Sequence, residues 1–180
     1  MQAPKIDLSS LRFLVADDSR FMRRLISPAL RAFGARQIAE TSSAQETLDR
    51  ILQKETDIVL LDWEFGDGTG EWIMQQIRRP GHPSAYQTVI MMSGHDEQSK
   101  ILRALDFGVN GYVAKPVAPA RLYLQIARAV LQPKPFIRTQ TYFGPENPSI
   151  ARHAANRGSA DSGAPKASAA SVDLETFEIV

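Results

Sequence analysis

The chain has 180 residues, of which 43% are hydrophobic and 23% charged, and its 21 Lys+Arg against 20 Asp+Glu leave a formal net charge of +1. That length suits one domain of ordinary size with an appendage, and the charge balance excludes nucleic-acid binding driven by bulk charge. With no cysteine, disulfide scaffolds, thiolate nucleophiles and Cys-ligated metal clusters are excluded as well. The N-terminus has no basic segment followed by a sustained apolar one, and no run approaches ~18 apolar residues. A cytoplasmic location without membrane contact is the expectation.

Taken in order, the strand candidates are Leu11 to Ala16, Gln37 to Thr41, Asp57 to Asp62, Thr88 to Ser93 and Gly111 to Lys115. Three of them are nearly continuous apolar runs, the signature of strands covered on both faces of a parallel sheet. Between the first two, Phe21, Met22, Leu25, Ile26, Ala29, Leu30 and Phe33 mark a helix face that ends at Gly34, with Pro28 expected to kink it. Ser43 to Glu46 reads as a capping box that opens a second helix through Leu48, Ile51 and Leu52. Trp72, Ile73, Gln76 and Ile77 suit a third helix, Ile101, Leu102, Leu105 and Phe107 a fourth, and Leu122, Ile126, Ala129 and Val130 a fifth. A strand followed by a helix, five times over, implies right-handed crossovers and a parallel sheet.

Such sheets place chemistry at the carboxyl ends of their strands. There the sequence puts Asp17 and Asp18, Asp62, Ser93, and Lys115 followed by Pro116. Carboxylates gathered this closely raise one another's pKa unless a cation lies among them, and a hard divalent ion such as Mg2+ is the natural partner. Lys115 supplies a point charge for Asp62 or for an arriving phosphoryl group, to which Ser93 can also donate a hydrogen bond. In this reading Asp62 is the nucleophile and becomes an aspartyl phosphate.

The blocks VADDS at 15–19, LLDW at 60–63, MMSG at 91–94 and VAKP at 113–116, with Gly70 eight residues after Asp62, resemble the receiver domain of two-component response regulators, of the chemotaxis type that stands alone. The resemblance spans residues 10–132. It implies a flavodoxin-like (βα)5 doubly wound sheet of strand order 2-1-3-4-5 and a cis Lys115–Pro116 peptide. It assigns the metal to Asp17, Asp18, Asp62 and the backbone carbonyl of Glu64, catalysis to Asp62, Lys115 and Ser93, and the conformational switch to Ser93 and Tyr112. A sensor histidine kinase or histidine phosphotransferase would donate the phosphate. The output would be contact with a downstream protein or relay of the phosphate, not an ordinary enzymatic turnover, and phosphorylation could bring about homodimerisation.

The sequence departs from the family in the loop after Asp62, where Phe65-Gly66 lies inside FGDGTG; glycines there imply a more flexible loop than usual. Glu64 and His95 are expected to flank the path of water to the acyl phosphate and so to set its lifetime. Arg20, Arg23, Arg24 and Arg31 on the first helix read as a solvated face in preference to a partner surface. Residues 133–180 read as a tail, packed near 136–145 through Phe136, Ile137, Tyr142 and Phe143 and otherwise disordered, with no DNA-binding element and with a terminal LETFEIV that could dock or fray. The competing readings are a pseudo-receiver that binds partners without phosphorylation and, disfavoured by the acidic pair, a flavodoxin-like flavin protein.

Overall fold

The computed structural model describes residues 4–94 and 98–147. His95 and residues 148–180, the greater part of the expected tail, lie outside them. Contacts divide the chain between Glu146 and Asn147, and every strand and helix described below belongs to the first unit.

A five-stranded parallel sheet forms from β1 (Arg12–Ala16), β2 (Gln37–Thr41), β3 (Ile58–Asp62), β6 (Thr88–Ser93) and β7 (Gly111–Ala114), in the order β2-β1-β3-β6-β7. Counting only these five strands, this is the flavodoxin-like 2-1-3-4-5 order. The helices are α1 (Arg20–Ala32), α2 (Ala44–Leu52), α3 (Gly70–Ile77), α4 (Gln98–Asp106) and α5 (Pro119–Leu131). Every residue of β3 is buried, as a central strand covered on both faces requires. Leu14, Val15, Val59, Leu60, Leu61, Ile90, Met91 and Met92 are fully buried, and each such side chain stabilises the fold by roughly 1.5–3 kcal/mol. None of the described helices is long and apolar enough to cross a membrane.

The first helix buries most of the face expected from the sequence, Ile26 and Leu30 fully and Met22 and Phe33 partly against the core, but leaves its edge exposed. Ile26, Ser27 and Leu30 turn inward, while Phe21 is 73% and Leu25 40% exposed. The helix also runs as one element through Pro28. Ser19 caps it by accepting from the Met22 N–H, and Gly34 (φ +102°) ends it in the left-handed region.

The loop after Asp62 differs as well. Instead of a loose glycine-rich connection it folds into an antiparallel ribbon of β4 (Glu64–Phe65) and β5 (Gly68–Thr69). Asp67 at its tip accepts from the Ala44 N–H at 2.9 Å and from the Ser43 hydroxyl at 2.7 Å, which seats the ribbon on the start of α2. Past α5 a hairpin of β8 (Phe136–Arg138) and β9 (Phe143–Pro145) packs on the domain, with Phe136 and Phe143 against Tyr86.

Candidate functional site

The strand ends bring together most of the residues singled out from the sequence. Asp17 follows β1, Asp62 ends β3, Ser93 ends β6 and Lys115 follows β7. One carboxylate oxygen from each of Asp17, Asp18 and Asp62 lies within 4.8 Å of the others. The Lys115 ammonium reaches into the cluster, 2.8 Å from Oδ2 of Asp17 and 2.8 Å from Oδ2 of Asp62. Asp17 is 0% and Asp62 5% exposed, whereas Asp18 faces solvent, so the pocket opens on the Asp18 side.

Local structure sets each of these groups. Asp17 Oδ1 accepts from the Ser19 N–H at 2.9 Å, and the Asp17 N–H donates to the Thr41 carbonyl at the end of β2. Gly70 is required at the start of α3, because a Cβ there would stand 2.5 Å from the Asp62 carbonyl oxygen. The Lys115 N–H donates to the Ser93 carbonyl at 2.7 Å, and the following Lys115–Pro116 peptide is cis. Ser93 and Tyr112 are both buried. Glu64 is exposed on β4, and its carboxylate is outside the three-aspartate cluster.

Burial pushes the Asp62 carboxyl up to about 6, with the neighbouring charge of Asp17 in the same direction, against the hydrogen bond and charge of Lys115 and the Glu64 N–H. For Lys115, burial disfavours the ammonium, but the hydrogen bonds and charges of Asp17 and Asp62 outweigh it and raise its pKa. Three carboxylates share one ammonium, so the pocket is short of positive charge. Asp17 Oδ2 is fully buried and faces the Lys115 ammonium at 2.8 Å. An all-oxygen donor set of three clustered carboxylates suits a hard divalent cation.

Arg23 departs from the solvated face on which the sequence reading placed it. Far from being solvated, its side chain is 16% exposed and packs beside the acidic loop, its Nη1 donating to the carbonyls of Asp17 (2.6 Å) and Asp18 (3.1 Å). The only hint in sequence was its place in the helix turn just after the acidic pair.

A parallel α/β sheet with an acid-and-lysine pocket at the carboxyl ends of β1, β3 and β7 defines a protein of doubly wound topology whose candidate site lies where such folds place theirs. The response regulator receiver domain profile matches residues 13–127, and the chain belongs to that family. It is 33% identical over 129 residues to a protein-glutamate methylesterase/protein-glutamine glutaminase of Symbiobacterium thermophilum, a match covering 69% of this chain and 34% of that protein. The chain thus spans about a third of the length of that relative. It is 27% identical over 113 residues to chemotaxis protein CheY-3 of Vibrio cholerae, covering 63% of this chain and 86% of that one. In fold it matches the receiver domain of the Francisella response regulator 1452, with a TM-score of 0.60 at 21% identity, covering 68% of this chain and 100% of that one.

Proposed function

We propose that the chain is a phosphorylatable response regulator that accepts a phosphoryl group on Asp62 and signals from the cytoplasm by protein contact or by relaying the phosphate. The observation that carries this reading is the Lys115 ammonium set between Asp17 and Asp62 in a pocket of three carboxylates. A lysine so placed can release Asp62 for attack and hold the incoming phosphoryl oxygen instead.

Asp17, Asp18, Asp62 and the Glu64 carbonyl would hold Mg2+, which when bound supplies positive charge to offset that of the transferring phosphoryl group. An Asp62 carboxylate oxygen attacks phosphorus in line, a P–O bond forms as the P–N bond of a phosphohistidine breaks, and the imidazole leaves with the bonding pair. Ser93 turns its hydroxyl to the new phosphoryl group, and Tyr112 fills the space behind it. The exposed Phe21 and Leu25, beside Arg20 and Arg24 on α1, suit docking of a kinase or phosphotransfer domain. Glu64, exposed on β4, governs water access and so the phosphate's lifetime, a role shared with His95.

The test follows tryptophan emission in Trp72→Phe, so that Trp63, next to Asp62, reports alone. Magnesium is expected to change the emission saturably, and acetyl phosphate to add one phosphoryl group by mass that Asp62→Asn does not acquire. Glu64→Ala is expected to change the decay rate of the phosphorylated form. A parent chain that responds to neither addition is a pseudo-receiver.

A further inference from the structure

Arg23 is the cation nearest the acidic loop that does not enter the pocket. Its Nη1 donates to the Asp17 carbonyl at 2.6 Å and to the Asp18 carbonyl at 3.1 Å, and its Nε lies 3.4 Å from Oε2 of Glu40 on β2. The other oxygen of Glu40 accepts from the Ser27 hydroxyl at 2.6 Å, and Ser27 is 2% exposed. A chain of polar contacts therefore runs from α1 through the second strand to the backbone of the two aspartates.

Two effects of that guanidinium on a bound cation oppose one another. Its charge repels a cation, while its hydrogen bonds fix the peptide units from which both carboxylates project. Glu40 cancels most of the first, since the pair is close to neutral at any distance beyond its own size. The hydrogen bonds remain, and charge-assisted bonds from a mostly buried guanidinium are the stronger kind.

We propose that Arg23, braced by Glu40 and Ser27, is a positioning residue that presets the Asp17–Asp18 loop for a divalent cation. This deepens the reading of the pocket as a magnesium site and rests on it. Groups of this kind, which orient ligands without touching the metal, commonly change metal affinity by ~10–100-fold when removed.

The test titrates magnesium chloride into the full chain carrying Trp72→Phe and follows Trp63 emission, with melting temperature measured in EDTA and in saturating magnesium. Arg23→Ala is expected to raise the half-saturating magnesium concentration about tenfold. Arg23→Lys, which keeps the charge but cannot span both carbonyls and Glu40, falls between it and the parent. Glu40→Gln weakens binding less, about threefold, and adds nothing in the Arg23→Ala background because it acts through Arg23. Acetyl phosphate labelling of Arg23→Ala recovers at saturating magnesium. A purely structural role would lower the melting temperature alike with and without magnesium and leave half-saturation within twofold of the parent, which overturns the proposal. Tighter magnesium binding by Arg23→Ala overturns it too, because repulsion would then be the dominant effect. If Arg23→Ala does not fold, Arg23→Lys and Glu40→Gln decide by the same criteria. A parent that binds no magnesium rejects the site itself, a result distinct from a parent that binds normally while the variants match it.

Discussion

Asp62 occupies a place where its negative charge is unfavourable in the metal-free molecule. Its folded-state pKa of about 6 lies above the ordinary 3.8, so between those values the folded chain holds a proton that the unfolded chain has released. By linkage the group's contribution to stability falls as pH rises through that interval and stays low above about 6. Asp62→Asn removes the charge, and the metal-free variant is expected to be more stable than the parent at pH 8, by on the order of 2–3 kcal/mol at most, and similar to it at pH 4. Urea denaturation in EDTA at the two pH values measures this, and an equal difference at both contradicts it. The aspartates, Ser93 and Lys115 were legible in the sequence because each is a polar residue where an apolar strand stops. Arg23 was not, because its partners are backbone carbonyls and a glutamate 17 residues away, and helical periodicity describes only which face of α1 a residue occupies.

The β4–β5 ribbon shows the same limit among the elements. The five sheet strands were readable, three of them from nearly continuous apolar runs, and Ser43 and Gly34 from their residue types, since these properties are local. The glycine-rich segment after Asp62 suggested looseness, yet Asp67 fastens it to α2 across 23 residues of sequence, and Gly68 lies where a Cβ would come 3.0 Å from that of Ala44. Here the glycines permit close approach instead of motion. Gly70 is the strictest of them: the added methyl of Gly70→Ala would meet the Asp62 carbonyl oxygen at 2.5 Å and Met91 Sδ at 3.1 Å. That variant is expected to lose about 1–3 kcal/mol through overpacking and to displace the end of β3. Asp67→Ala is expected to lower the melting temperature less and to leave Asp62 in place. Thermal melts rank the two, and magnesium titration shows whether only Gly70→Ala disturbs the pocket; a parent-like melt for Gly70→Ala would refute the steric account.

Across the molecule, Arg78 joins parts of the chain that the receiver match does not unite. The match ends at residue 127, but the hairpin of β8 and β9 lies beyond it, and the Arg78 guanidinium carbon sits 5.1 Å from the centre of the Phe136 ring. The same guanidinium donates to the carbonyls of Gly108 (2.9 Å), Ala85 (2.7 Å) and Gln87 (2.7 Å) and to Oδ1 of Asn110 (3.2 Å). Burial pushes its pKa down, yet these acceptors hold the proton, so a charged group with no carboxylate beside it among the described residues ties the loop before β6 and the turn before β7 to the hairpin. Gly108 and Gly144 complete the contact, since a Cβ on Gly144 would stand 2.9 Å from the Gly108 Cα. Arg78→Met strands those carbonyls away from water and is expected to cost about 1–3 kcal/mol for each one left unsatisfied. Phe136→Ala removes only the ring and costs less. If the hairpin is held through the guanidinium, the two losses are not additive, and a denaturation cycle of both single variants and the double variant shows a coupling of about 0.5–2 kcal/mol, the range for a partly desolvated cation over an aromatic face. Strict additivity would mean that the hairpin rests on Tyr86 and its own aromatic pair, and that Arg78 serves only the loops of the sheet.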